Sequence, residues 1–127
     1  MPVYIHMNTS ARLIHAEFFG DVKAEDIRRG RDFLGSNSSF QPHFSLIVDF
    51  TGATSFSLST DELRALASDP SMFEPSALQV IVAPAGKMRD IALAFQAQAE
   101  DVRPNLYVTD TVEKAQLLIE EAREAEV

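Results

Sequence analysis

The sequence contains no cysteine. That absence excludes disulfides, a thiolate nucleophile and any cysteine-held metal or cluster. It fits a reducing compartment, and a cytoplasmic location is expected. Cations are also scarce: 11 Lys and Arg stand against 19 Asp and Glu, for a net charge of −8. Nucleic acids and anionic membrane surfaces are bound by clustered Lys and Arg, so neither is an expected partner. Long apolar runs are missing too. None approaches the roughly 20 residues that span a bilayer, so membrane insertion is not expected. The start, Met1-Pro2-Val3-Tyr4-Ile5-His6, lacks the basic-then-apolar order of a signal peptide.

What is present suits one globular domain over residues 1–127. The chain has 127 residues, 46% of them hydrophobic, enough to bury a core without metal or disulfide staples.

Periodicity supplies the elements. Val3, Ile5 and Met7 alternate with Tyr4 and His6, then Asn8-Thr9-Ser10 signals a turn. Ile14, Ala16 and Phe18 alternate with Leu13, His15, Glu17 and Phe19, completing a β-hairpin that Gly20-Asp21 should end. From Lys23 the period becomes helical through Ala24, Ile27 and Leu34, with Arg28, Arg29, Arg31 and Asp32 read as solvated and Gly35-Ser36-Asn37 as the stop. Phe44–Phe50 reads as a central strand and Thr51–Leu58 as a loop of small polar residues. Ser59 and Glu62 have capping-box spacing for a short second helix that Asp69-Pro70 breaks. Leu78–Ala83 is a strand, and Pro84-Ala85-Gly86 turns into a third helix striped by Met88, Ile91, Ala92, Phe95 and Ala99. Leu106-Tyr107-Val108 is a short strand. Asp110, with Glu113 three residues on, should cap a last helix that frays from Arg123 to Val127. The expected class is α/β, ordered β-β-α-β-α-β-α-β-α, with about five strands in a mixed, mostly parallel sheet flanked by helices.

This order resembles the SpoIIAA-like, or STAS-like, family. Three stretches carry the resemblance: Phe44 to Gly52 with its Asp49-Phe50-Thr51-Gly52 exit, Val80-Ile81-Val82-Ala83-Pro84 with the helix from Arg89 to Glu100, and Leu106 to Asp110 with the closing helix. The resemblance implies a small cytoplasmic scaffold without enzymatic activity, a protein-interaction or regulatory module that forms a homodimer or binds another protein. Regulatory members switch by phosphorylation in an Asp-Ser-x-Gly-Leu motif. Here that place reads Phe56-Ser57-Leu58-Ser59-Thr60-Asp61-Glu62-Leu63, with no Asp before the serines and acids in place of the glycine. The chain is similar to the broader group that lacks the switch.

Ser57, Ser59 and Thr60 are the phospho-acceptor candidates, although helix capping already accounts for Ser59. Thr51, Gly52, Phe56, Leu58, Gly86, Lys87 and Arg89 form a candidate partner or ligand surface on the loops before the second and third helices. Amide groups at a helix start favour anions, so a small amphipathic or anionic ligand near Lys87 and Arg89 is the alternative to a protein partner. The Gly86-Lys87 pair is no phosphate loop: Ile81 and Met88 stand where Gly and Ser/Thr belong. Asp49 ends a strand as a receiver-domain phospho-acceptor does, but the acid pair and lysine of that chemistry are not in place. No Gly-x-Ser-x-Gly elbow exists either, and no catalytic residue or cofactor is expected. His6 and His15 share one outward face as cross-strand neighbours, with His43 far off. Two histidines need further ligands to hold a metal, so no metal is expected. Nine phenylalanines are many for this length. Phe19, Phe56, Phe73 and Leu58 are expected at outward or loop positions, where they suit an apolar pocket or a dimer patch.

Overall fold

Alternation decides the first two strands. In the computed structural model, which describes residues 3–125, β1 (Val3–Asn8) and β2 (Leu13–Lys23) pair antiparallel with His6 opposite His15. Ile14, Ala16 and Phe18 are buried, while their alternates stay partly open. The Asn8 carboxamide oxygen ties the turn by accepting from Ser10 Oγ and the Ala11 amide. Helix α1 (Ala24–Ser36) follows, then β3 (Ser45–Ser57), α2 (Thr60–Ser68), β4 (Gln79–Val82), α3 (Lys87–Gln98), β5 (Leu106–Thr109) and α4 (Val112–Ala125). The element order is the one expected.

Residues 51–57 are not the expected loop. They continue β3 alongside β2, which itself runs past Gly20-Asp21 to Lys23. Backbone pairing needs no apolar side chain, so a small polar segment becomes strand once a partner edge lies beside it. The two strands keep step through irregularities after Glu17 and after Gly20, and Gly20 supplies the positive φ of 67°. Asp21 accepts hydrogen bonds from the Ser55 and Ser57 hydroxyls across the join.

Strand order in the sheet follows chain order, β1-β2-β3-β4-β5, and every pair after the first is parallel. Parallel crossovers are right-handed. Stepping always in one direction therefore puts α1, α2 and α3 on the same face, where Leu34, Ala67 and Ala92 join the main core with Phe18, Leu46 and Ile81. Among the described residues, only α4, which follows the last strand, covers the other face. Its Ala115 and Ile119 pack on Ile47, Val80 and Val82. A helix is roughly 10 Å wide and strands lie about 4.8 Å apart, so one helix covers β3 to β5 and leaves β1 and β2 open on that side.

Ser59 caps α2 as expected, with its Oγ accepting from the Glu62 amide while Glu62 accepts from the Ser59 amide. The start of α4 differs. Thr111, not Asp110, is the cap: its Oγ1 accepts from the Lys114 amide and its carbonyl from the Ala115 amide. Asp110 is drawn away by Lys114 at 2.9 Å and Arg89 at 3.7 Å. The expected fraying from Arg123 is also corrected. Helix α4 runs to Ala125 because Arg123 donates to the Ala11 and Arg12 carbonyls at 2.6 and 2.7 Å; Glu126 and Val127 lie outside the described residues.

Candidate functional site

The three helices on the first face do not fill the space above the sheet. Between them lies a cavity of about 150 Å³. Its wall is largely aliphatic and aromatic, with Phe18, Phe50, Phe56, Leu58, Leu66 and Phe73 among its residues. Phe56 stands edge-on to Phe50 at 4.8 Å. Thus Phe56, Leu58 and Phe73 face inward to a cavity. Phe19 lies on the opposite face, edge-on to exposed Tyr4 at 5.5 Å.

Four polar residues interrupt this wall: Gln79, Arg31, Arg103 and Ser71. Ser71 is occupied, its Oγ accepting from the Phe73 amide. Arg31 pairs with Asp69 at 2.7 Å. Arg103 is buried, donates through Nη1 to the Ala67 carbonyl and stands over the Phe95 ring. Burial first, then the nearby positive charge of Arg31, pull the Arg103 pKa below the ordinary guanidinium range, with Asp69 opposing. Two guanidinium groups thus share one carboxylate, and the local balance is positive. Gln79 is the exception among these polar groups. It sits on β4 beside Leu46 and Leu106, is only 6% exposed, and its carboxamide makes no hydrogen bond with any described residue. Arg89 Nε is the one fully buried side-chain polar atom without a partner among the described residues, so the Gln79 carboxamide is open to solvent on the cavity side.

The residues singled out from the sequence fall into separate groups. Phe56 and Leu58 line the cavity; Gly86, Lys87 and Arg89 do not. Gly86 (φ 107°) opens α3, Lys87 is exposed, and Arg89 faces Asp110 with its Nε buried and unpartnered. Thr51 and Gly52 belong with the opposite face, where Thr51 holds Asp49 and Gly52 lies against the Phe19 ring. Ser57 is bound to Asp21, so a phosphate there would meet a carboxylate. Ser59 is committed to its cap, and Thr60 opens α2. Sequence reasoning passed over Gln79 and Arg103 and read Arg31 as solvated, whereas it is half-buried against Asp69 in the cavity wall. The signal for Gln79 was present, a lone polar residue near the head of an apolar strand; Arg31 sits among charged helix neighbours and gave none.

The open half of the other face carries a second polar group. His15 Nε2 lies 3.0 Å from Asp49 Oδ2 and 4.0 Å from Glu17 Oε1, and His6 Nε2 lies 3.4 Å from the same Glu17 oxygen. Burial raises the Asp49 carboxyl, but the Thr51 hydroxyl and amide and then His15 outweigh it and hold it below the ordinary aspartate value. His43 lies against Phe44, away from this group. No family model matches the chain, and no curated protein matches it.

Proposed function

We propose that this chain is a non-enzymatic module that holds a small amphipathic ligand in the cavity beneath α1, α2 and α3, as a carrier or sensor. The observation that carries this reading is the cavity itself, apolar over most of its wall, with the Gln79 carboxamide opening onto it and bonded to no described protein group. An apolar cavity near 150 Å³ takes a molecule about the size of benzene, which points to a single ring or a short chain. The positive balance of Arg31 and Arg103 against Asp69 favours a carboxylate head. These two arginines suit the anionic end better than Lys87 and Arg89 because they line the cavity and those two do not.

Thermal unfolding with benzoate and hexanoate, against benzylamine as a cationic control, tests this. The acids should raise the melting temperature and the amine should not; a hundredfold excess over Kd corresponds to roughly 2.7 kcal/mol. Replacing Gln79 by Leu should leave the fold of the free protein intact and weaken the response to the acids. No response to any probe would reject the reading.

A second reading is a cytoplasmic SpoIIAA/STAS-like interaction module, homodimeric or bound to another protein. It is favoured by Tyr4 (57% exposed) and Phe19 (36%), packed edge-on together on the open face at the sheet's edge. Residues 3–125 contain no helix long and apolar enough to cross a membrane. Native mass spectrometry of protein from its own cells separates the two readings. Small extra mass that leaves on denaturation supports the carrier, and a ligand-free dimer or a protein complex supports the module.

A further inference from the structure

The open half-face of the sheet gathers four ligating side chains through strand register alone. His15 and Glu17 are two residues apart on β2 and so share a face. His6 is the Cα partner of His15 across β1, and Asp49 is the Cα partner of Glu17 across β3. Three strands thereby contribute to one patch. The donor atoms of His15, Glu17 and Asp49 all lie within 4.8 Å of one another, and His6 Nε2 approaches Glu17 Oε1 to 3.4 Å.

We propose that His6, His15, Glu17 and Asp49 bind one divalent transition-metal ion of the zinc class. Bonds of about 2.0–2.2 Å to a tetrahedral ion set its donors roughly 3.3–3.6 Å apart. The separations of 3.0, 3.4 and 4.0 Å bracket that span for three of the pairs; His15, Glu17 and Asp49 form the core of the set, and the exposed His6 ring must swing inward from Glu17 to complete it. Two imidazoles and two carboxylates suit zinc, whereas calcium and magnesium want six or more oxygens. The support around the donors is in place as well. Thr51 donates from both its amide and its hydroxyl to Asp49 Oδ1, leaving Oδ2 turned toward His15; fixing one carboxylate oxygen aims the other. Exposure is graded, from 11% for the Asp49 side chain to 63% for His6, so an ion arriving from solvent meets His6 first and ends against Asp49. The ion binds between His15 Nε2 and Asp49 Oδ2, and it ties the edge strand β1 to β2 and β3.

The test is a zinc titration of the full chain followed by the histidine ring signals in NMR. At one equivalent, the His6 and His15 signals should move and that of His43 should stay, because His43 is the built-in control. Magnesium at the same concentration should move none. His6→Gln and Glu17→Gln change side chains that are open enough to leave the fold intact, and each should weaken zinc by at least about tenfold. Asp49→Asn should weaken it at least as much. Failure of His6 and His15 to move, equal movement of all three histidines, or unchanged affinity in both Gln variants would overturn the proposal. None of these outcomes bears on the cavity, which lies on the other side of the sheet.

Discussion

Gly52 and Phe19 show how one position can be dictated from another strand. A Cβ on Gly52 would stand 2.5 and 2.8 Å from two carbons of the Phe19 ring, so glycine there lets the ring lie flat on β3. Gly52→Ala should push the ring aside and cost about 1 kcal/mol, at the low end for overpacking because Phe19 is partly exposed. In a Phe19→Ala background the same change should cost nothing or stabilise slightly, since glycine within a strand is disfavoured by about 0.5–1 kcal/mol. Urea midpoints for the four proteins give the coupling directly, and equal losses in both backgrounds would disprove the contact. In the sequence Gly52 reads only as part of a strand exit, because its reason depends on which residue of β2 comes alongside. The cavity and the metal-class group have the same history. Alternation puts His6 and His15 on one face of the hairpin, but the arrival of Asp49 beside Glu17 needs the β2–β3 register. Gln79 stands out as polar among apolar neighbours, yet its lack of a partner appears only when the helices are placed.

At the level of elements, local signals were legible where nothing competed for them. Ser59 and Glu62 cap α2 because both are free to do so. Asp110 has the same spacing before α4, but Lys114 and Arg89 claim its carboxylate and Thr111 caps instead. The fate of residues 51–57 was hidden for a related reason. Their composition describes a loop, and only the length of β2 makes them strand. The close of α4 depends on Arg123, which bridges to the carbonyls of the first turn and reaches Ser45 Oγ at 3.3 Å. Arg12 in that turn holds a positive φ of 53°, a conformation that costs a non-glycine residue energy and persists because surrounding contacts hold it. Arg123→Ala should destabilise the protein by about 2 kcal/mol, as expected for hydrogen bonds from a charged group. Amide hydrogen exchange should rise most at the C-terminal turn of α4 and around Ala11 to Ser45. A uniform rise across the chain would mean that the residue does not act locally.

For the molecule as a whole, charge sets the response to acid. At −8 the folded chain repels itself, and the loss of net negative charge as the pH falls from 7 toward the pI of about 4.7 relieves that repulsion. Below this range the sign reverses. Serine hydroxyls hold the Asp21 carboxyl below the ordinary aspartate value, and Lys114 does the same for Asp110. A carboxyl lowered by folding stabilises the protein above its unfolded pKa, and this contribution is lost as pH falls through the folded value. Stability should therefore peak near pH 5 and decline below about pH 4. Added salt should flatten the upper limb, and Asp21→Asn with Asp110→Asn should flatten the lower one; urea midpoints against pH read both limbs. The agreement of strand order with chain order has one more consequence, for how the molecule is made. As synthesis proceeds, each new strand finds its neighbour already laid down and needs only to add to a growing edge. No strand waits for a later one to be inserted beside it. The exception is the final helix. Until it arrives, Ile47, Val80 and Val82 have no cover on their side, and its Arg123 must return to Ala11, 112 residues earlier. The nascent chain is thus stickiest just before α4 emerges, and the last turn of that helix both hides that surface and fastens itself to the turn between β1 and β2.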